Sequence, residues 1–312
     1  MERMRALLHA NEIHQAGILG KNVTVCSLDS GAAAGHPDFY GRICGFADFV
    51  SGRQDCYDDA SHGTHVLGII GGDGRCGGGR YRGIAPACRL LPVKVLDRRG
   101  EGEMDDILRA IDWVIANIRR YQIRILNLSA GGTKGELDAG ASLLVKKVDE
   151  AWDAGLVVVV AAGNRGPLPM SVTVPGNSKK AITVGSSDGF RRRNGSVTGY
   201  SGCGPTKDCI CKPEVVAPGS GIVSCAAFWS DGHYYGSKSG TSMSAPAISG
   251  AIALLLEKEP WLTNVEVKMR LREAAADLGY PQNQQGWGMP DLRRLIPVNE
   301  EERTNEEVYH GT

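Results

Sequence analysis

Apolar residues along this chain fall into two alternating patterns. The first is a short, nearly unbroken apolar run: VTVCSLD (23–29), RLLPVKVLD (89–97), RILNLSA (124–130), LVVVVAAG (156–163) and AITVGSS (181–187). Strands covered on both faces read this way, because neither set of alternating side chains meets water. The second pattern is helical. HGTHVLGIIGG (62–72), MDDILRAIDWVIANIRRY (104–121) and ELDAGASLLVKKVDEAWDAG (136–155) lie between the runs. In 104–121, Ile107, Ala110, Ile111, Val114, Ile115 and Ile118 make one apolar stripe. Strand–helix alternation predicts an α/β fold, a doubly wound, mostly parallel sheet with helices on both faces. Such sheets carry their sites outside the carboxyl ends of the strands. No Pro/Ser-rich linker breaks the alternation. The reading is a leader helix over 1–18, one domain over 19–298 and an acidic flexible tail over 299–312.

Charge narrows the classes of partner. Lys plus Arg and Asp plus Glu number 35 each in 312 residues, so no global field recruits nucleic acid or a membrane surface. No apolar stretch reaches transmembrane length. The first residues, MERMRALLHANEIHQAG, carry charge throughout and lack the apolar centre of a signal peptide. Nine cysteines, an odd number, then favour reduced thiols and a cytoplasmic protein, or a secreted mature form if the chain is a processed fragment. CGPTKDCIC (203–211) spaces its cysteines unlike a zinc site and has no histidine near it. GDGRCG (72–77) fits G-x-G-x-x-G, but it follows a helix rather than a strand and leads into no helix, so it fails as a dinucleotide fingerprint.

The candidate chemistry lies at the ends of the predicted elements. SGTSMSAP (239–246) puts Ser239, Thr241, Ser242 and Ser244 ahead of the Ala/Leu-rich helix AISGAIALLLEKE. Thr241 or Ser242 reads first as an N-cap. The same place also suits a nucleophile, since helix N–H groups and the helix dipole favour a developing oxyanion. Asp29 closes the first strand, as an Asx-turn or as an orienting acid. His62 opens a helix and is followed by Gly63, which leaves room to approach an imidazole that acts as a base. His65 sits on the same helix side, yet the zincin pattern H-E-x-x-H is missing. Asn164, just past a buried strand, is a turn residue or an oxyanion donor. Ser129, Ala130 and Gly131 end another strand with small side chains that leave an edge for an extended chain. Each alone has an ordinary structural explanation. Together they supply acid, base, oxyanion donor and nucleophile.

GKNVTVCSLDSG, HGTHVLG, GIAP, VKVLD, LNLSAGG, VVVVAAGNRGP, KPEVVAPG and SGTSMSAP jointly resemble the subtilisin-like serine proteases, peptidase family S8, over about residues 15–295. The pattern looks most similar to the cytoplasmic AprX-type branch. Subtilisin is itself the standard case for the order Asp, His, Ser and for an Asn oxyanion donor. The resemblance implies a subtilisin-like three-layer fold and a serine endopeptidase acting on protein or peptide substrates. Ser242 attacks the scissile carbonyl, His62 takes its proton, Asp29 fixes the imidazole, and Asn164 with the Ser242 N–H holds the oxyanion. Ser129-Ala130-Gly131 and Gly100-Glu101-Gly102 match the segments that pair with the substrate backbone, which implies broad specificity.

Three departures refine this. Few residues precede the first strand, so segment 1–18 is expected near the cleft, restraining activity until trimmed. GGDGRCGGGRYRG (71–83) lacks the Asn-rich loop of a tight calcium site; Asp38 matches one ligand without its usual partners, so no cofactor is required and calcium binding is weak at most. Arg165 beside Asn164 disfavours a cationic P1 side chain, so large apolar P1 is expected, with acidic P1 tolerated. The alternatives are a processing protease dedicated to one partner, a catalytically silent peptide-binding relative, and a zinc hydrolase using His62, His65 and the cysteine cluster.

Overall fold

The structure, a computed structural model, describes residues 1–129, 138–193, 196–229 and 232–298. The expected tail over 299–312 lies outside the described residues. Seven strands form the central sheet: β1 Thr24–Asp29, β2 Ala47–Asp48, β3 Arg89–Lys94, β4 Ile123–Leu128, β5 Val157–Ala161, β6 Ile182–Ser186 and β9 Val215–Ala217, with the antiparallel hairpin β7 Phe190–Arg193 and β8 Ser196–Gly199 between the last two in chain order. Their order in the sheet is β2-β3-β1-β4-β5-β6-β9, and every neighbouring pair is parallel. All five apolar runs are therefore strands. β1, β5 and β6 are buried at every position, which is why they show no period of two.

The chain leaves β1 towards β3 and returns to β4 on the other side of β1. The strand order thus reverses beside β1, and a crevice opens beyond the carboxyl ends of β1 and β4. Asp29 ends β1 and Ser129 follows β4, so both candidates stand at this crevice.

The helices are α1 Glu2–Leu8, α2 Ala10–Gln15, α3 His62–Gly71, α4 Met104–Ala116, α5 Ile118–Tyr121, α6 Asp138–Asp153, α7 Thr241–Lys258 and α8 Asn264–Ala274, followed by the single turns α9 Gln282–Gln285 and α10 Leu292–Leu295. α3 and α7 pack together on one sheet face; α4, α6 and α8 cover the other. α7 buries residues on all sides, which its low amphipathicity requires, and it lies across β4, β5, β6 and β9. The α4 stripe buries Ile107, Ala110, Ile111 and Val114 as its period demands, while Ile115 is only partly covered. A second hairpin, β10 Ile222–Cys225 with β11 Tyr235–Lys238, closes against α3.

The amino-terminal segment, expected as one leader helix over or near the cleft, is packed into the core of the domain. It forms two helices, separated where His9 takes a left-handed backbone (φ 59°). Met4, Leu8, Ala10 and Ile13 are buried in the same core cluster as the sheet. Arg5 donates to the carbonyls of Arg80 and Arg82, Arg3 pairs with Asp188, and the Met1 amine donates to Val223 O at 3.0 Å. Apolar burial and these bonds hold the segment against loop 79–84 and the start of the second hairpin. Among the described residues, no helix is long and apolar enough to cross a membrane.

Candidate active site

β1 delivers Asp29 to the crevice and α3 begins there with His62. The two meet because glycines let the elements touch. A Cβ at Gly63 would lie 2.2 Å from Gly31 O and 3.2 Å from the Asp29 Cβ, so only glycine allows the first turn of α3 to press on the end of β1. Gly63 therefore makes room for the protein's own backbone beside the imidazole. His62 Nδ1 donates to Asp29 Oδ1 at 2.7 Å, and the same oxygen accepts the Ser30 N–H at 2.7 Å. An ionised carboxylate only accepts, so Nδ1 carries the proton and Nε2 keeps its lone pair, the state a general base requires. Asp29 is 1% exposed, whereas the His62 side chain is 27% exposed. Burial disfavours the imidazolium, but the charge and hydrogen bond of Asp29, with a further contribution from Asp58, outweigh it and raise the His62 pKa above its ordinary value.

Asp58 is a buried carboxylate set around the start of α3. Its Oδ2 accepts the Thr64 N–H at 2.9 Å and the Thr64 hydroxyl at 2.6 Å. Its Oδ1 accepts Ser61 N–H, Ala60 N–H and the Ser30 hydroxyl, each at 2.8–3.0 Å. Ser30 Oγ in turn accepts the Gly63 N–H at 2.9 Å. One carboxylate thus satisfies the Thr64 N–H in the first turn of the helix that carries His62 and, through Ser30, ties that helix to the residue after Asp29. This residue was absent from the sequence reading. An acid four residues ahead of a helix start was its available signal.

Ser242 lies in the first turn of α7. None of the hydroxyls in 239–246 is a cap, contrary to the simplest reading; the N-cap is Gly240, with no side-chain cap bond. Ser244 Oγ donates to Ala217 O at 2.9 Å, and Ser239 Oγ accepts the Gly221 N–H at 2.9 Å. Thr241 is committed to Asn164: its N–H donates to Asn164 Oδ1 at 2.9 Å, its hydroxyl donates to the same oxygen at 3.2 Å and accepts the Gly163 N–H at 3.1 Å. A backbone N–H can only donate, so it fixes the Asn164 amide with Oδ1 inward and its NH₂ group turned away. That NH₂ reaches the space beside Gly240, whose absent Cβ would sit 3.2 Å from Nδ2. Gly240 has φ 145°, where glycine is favoured.

Ser242 Oγ donates to the Ser129 carbonyl at 2.7 Å, and among the described residues it makes no hydrogen bond to His62. The hydroxyl thus rests on the end of β4, and rotation about its Cα–Cβ bond is what would turn it to Nε2. Ala161, Gly163, Asn164, Arg165, Thr173, Thr241 and Ser242 line one cavity of about 220 Å³, so the candidates Asn164, Arg165 and Ser242 are brought together. Gly100, Glu101 and Gly102 lie in the turn beyond β3, closed by Gly100 N–H to Asp97 O (3.0 Å) and Asp97 N–H to Glu101 O (2.8 Å). Ala130 and Gly131 lie outside the described residues.

The sequence model of the Subtilase family matches residues 20–288, which spans the whole central sheet and α3 to α8 but not α1 and α2. The chain belongs to the subtilase family. Serine protease AprX of Bacillus subtilis (strain 168) is similar to it, 40% identical over 283 residues, covering 85% of this chain and 64% of the relative. Subtilisin E of the same strain is 37% identical over 275 residues, covering 87% of this chain and 65% of the relative. The chain therefore spans slightly less than two thirds of the length of these curated subtilases. Among solved structures, Sphericase superposes with a TM-score of 0.74 at 28% identity, covering 87% of this chain and 91% of the other.

Within this subtilase the histidine pair is divided between roles. His65 Nε2 donates to Ile222 O (2.9 Å) and Gly236 O (3.1 Å), and burial lowers its pKa to about 3. It is a neutral tie between α3 and the second hairpin, which removes it from the zinc hydrolase reading. Cys203 is buried and donates to Ser201 O, while Cys209 and Cys211 are exposed.

Proposed function

We propose that this chain is a serine endopeptidase in which Ser242 is the nucleophile, His62 the general base and later general acid, Asp29 the orienting acid, and the Asn164 NH₂ with the Ser242 N–H the oxyanion donors. The observation that carries the reading is the Asp29–His62 bond at 2.7 Å, which leaves the Nε2 lone pair on the side open to solvent. In the first step the Ser242 hydroxyl leaves Ser129 O, gives its proton to Nε2 and attacks the carbonyl. The imidazolium so formed is stabilised by the buried Asp29 charge. The tetrahedral oxyanion develops at the positive end of α7, where the Asn164 amide is already oriented by Thr241. Nε2–H then protonates the leaving amine, and water repeats the sequence to release the acyl group.

Substrate preference follows from the cavity beside Ser242. Its volume of about 220 Å³ and its Ala161 and Gly163 walls accommodate a large apolar P1 side chain, and Arg165 at its rim repels a cation. Acidic P1 is tolerated for the same reason. Backbone pairing with Gly100–Gly102 and with the segment after β4 gives broad sequence tolerance beyond P1. Calcium is not required. The family's calcium position does not fit the groups present, because the carboxylate of Asp38 is surrounded by a thiol, a phenol and backbone N–H donors rather than by oxygen ligands. The test is hydrolysis of casein and of a P1-varied peptide library by the full chain. Hydrolysis that disappears in Ser242→Ala, with Leu or Phe at P1 cleaved faster than Lys, is expected. Hydrolysis retained in Ser242→Ala overturns the mechanism, and faster cleavage after Lys overturns the specificity.

A further inference from the structure

Behind α3, away from the candidate triad, His36, Asp38 and Cys225 each place a donor atom within 4.8 Å of the other two. All three are buried, at 1%, 0% and 0% exposure. We propose that these residues, with Cys76 as a fourth ligand, form a binding site for one thiophilic divalent metal ion of the zinc class.

The donor set selects the metal. Two sulfurs, one imidazole nitrogen and one carboxylate oxygen suit zinc or a similar soft cation and are wrong for calcium or magnesium, which take oxygens. The spacing fits as well. Metal–ligand bonds of about 2.0–2.3 Å in a tetrahedron put ligand atoms about 3.3–3.8 Å apart. Cys225 Sγ and Asp38 Oδ2 already stand 3.6 Å apart. Among His36, Asp38 and Cys225 the remaining separations need to close by about 1 Å, from the upper limit of 4.8 Å, and Cys76 moves in on its glycine-flanked turn to complete the set.

The outer contacts are those of a metal site. His36 Nε2 donates to Tyr234 O at 2.9 Å, which fixes the tautomer with the lone pair on Nδ1; that lone pair accepts the Asp38 N–H at 3.2 Å, a long bond that the ion would displace. Metal-bound histidines are anchored through the other ring nitrogen in this way. Tyr235 donates its hydroxyl to Asp38 Oδ2 at 2.8 Å, and Cys76 N–H donates to Oδ1 at 3.2 Å. Cys76 is tied to this carboxylate through its backbone and is only partly covered, which gives the ion a way in. It stands in a turn, Arg75–Gly77, flanked by Gly74 and Gly78, both at positive φ. On the other side Gly68 of α3 leaves space for sulfur, since a Cβ there would lie 2.8 Å from Cys225 Sγ.

Loading forms two sulfur–metal bonds and breaks two S–H bonds, and both protons leave to solvent. The ion would join the loop at 36–38, the glycine-rich loop after α3 and strand β10. It would therefore stabilise the frame on which His62 is mounted without touching the candidate reacting atoms.

The test uses the full chain as Ser242→Ala, which prevents self-digestion, titrated with Co²⁺ and then with Zn²⁺. The expected result is one Co²⁺ per chain with sulfur-to-metal charge-transfer absorption, displacement by Zn²⁺, and a rise in Tm of several degrees. The absorption should disappear in Cys225→Ala, weaken in Cys76→Ser and persist in Cys209→Ser/Cys211→Ser. Because Cys225 is buried and its variant can misfold, a second readout is alkylation: Zn²⁺ should shield Cys76 from iodoacetamide while Cys209 and Cys211 stay reactive. No charge-transfer band, or a band lost only in Cys209→Ser/Cys211→Ser with Cys76 unshielded, overturns the site.

Discussion

Thr241→Val tests how the oxyanion donor is held. Valine matches the shape of threonine but removes a fully buried hydroxyl that makes two bonds, from Gly163 N–H at 3.1 Å and to Asn164 Oδ1 at 3.2 Å. The Gly163 N–H is left buried and unpaired, which costs about 1–3 kcal/mol of stability. Asn164 keeps one anchor, the Thr241 N–H at 2.9 Å, so its amide is loosened rather than lost. Deleting such a donor lowers kcat by about 10²–10³, a magnitude that comes from a subtilisin rather than from this geometry. Partial loss of orientation then lowers kcat about 10-fold, or ~1.4 kcal/mol of barrier. KM stays nearly unchanged, because the amide binds charge that exists only in the transition state. The assay is kcat and KM on a chromogenic peptide for Thr241→Val, Asn164→Ala and the double variant. If Thr241 acts through Asn164, the double variant is no slower than Asn164→Ala. Effects that multiply in the double variant would refute the reasoning, since Thr241 would then act on the substrate by itself.

Three further outcomes are expected. Because the His62 pKa is raised and the base must be neutral, kcat/KM rises with pH through an inflection above the ordinary 6.5; Asp58→Asn removes one raising charge and moves that inflection down, and an unmoved profile contradicts the role given to Asp58. Burial lowers the pKa of His14 to about 4 and of His65 to about 3, so below pH 6.5 the unfolded chain takes up protons that the fold refuses. Stability therefore falls as pH drops through this window, by about 3 kcal/mol for each group at pH 4. Urea unfolding of Ser242→Ala at pH 7 and pH 4 checks it, and equal stabilities at the two values refute it. Removing residues 1–18 strips Met4, Leu8, Ala10 and Ile13 from the core, so the truncated chain should lose Tm sharply and gain no activity; a stable, more active product would restore the idea of a restraining leader.

The parts of the fold visible in the sequence are those whose burial is one-dimensional. β1, β3, β4, β5 and β6 announce themselves because both their faces are covered, and α4 because one face is not. β9 has three residues and β2 has two, too few for any period, so the two edges of the sheet were not read. The amino-terminal segment was read as one leader helix, and its division into two core-packed helices was missed for another reason. His9 breaks the helix between Leu8 and Ala10, which resets the phase of the apolar positions and hides two core-facing stripes as one weak pattern. At the site, the residue types and their order were legible because the family's motifs carry them. The supports were not. Thr241 reaches Asn164 across 77 positions, and Ser242 reaches Ser129 O across 113, and no local pattern encodes such pairs. The side chains of the proposed metal site were hidden likewise, since Asp38 and Cys225 are 187 positions apart.

The most direct test of the account is to react the purified full chain with a fluorophosphonate and locate the adduct by mass spectrometry. The account predicts a single adduct on Ser242, formed faster as pH rises through the His62 inflection and abolished in His62→Ala. An adduct on another serine, or labelling of Ser242 that is as fast in His62→Ala as in the parent chain, would contradict it.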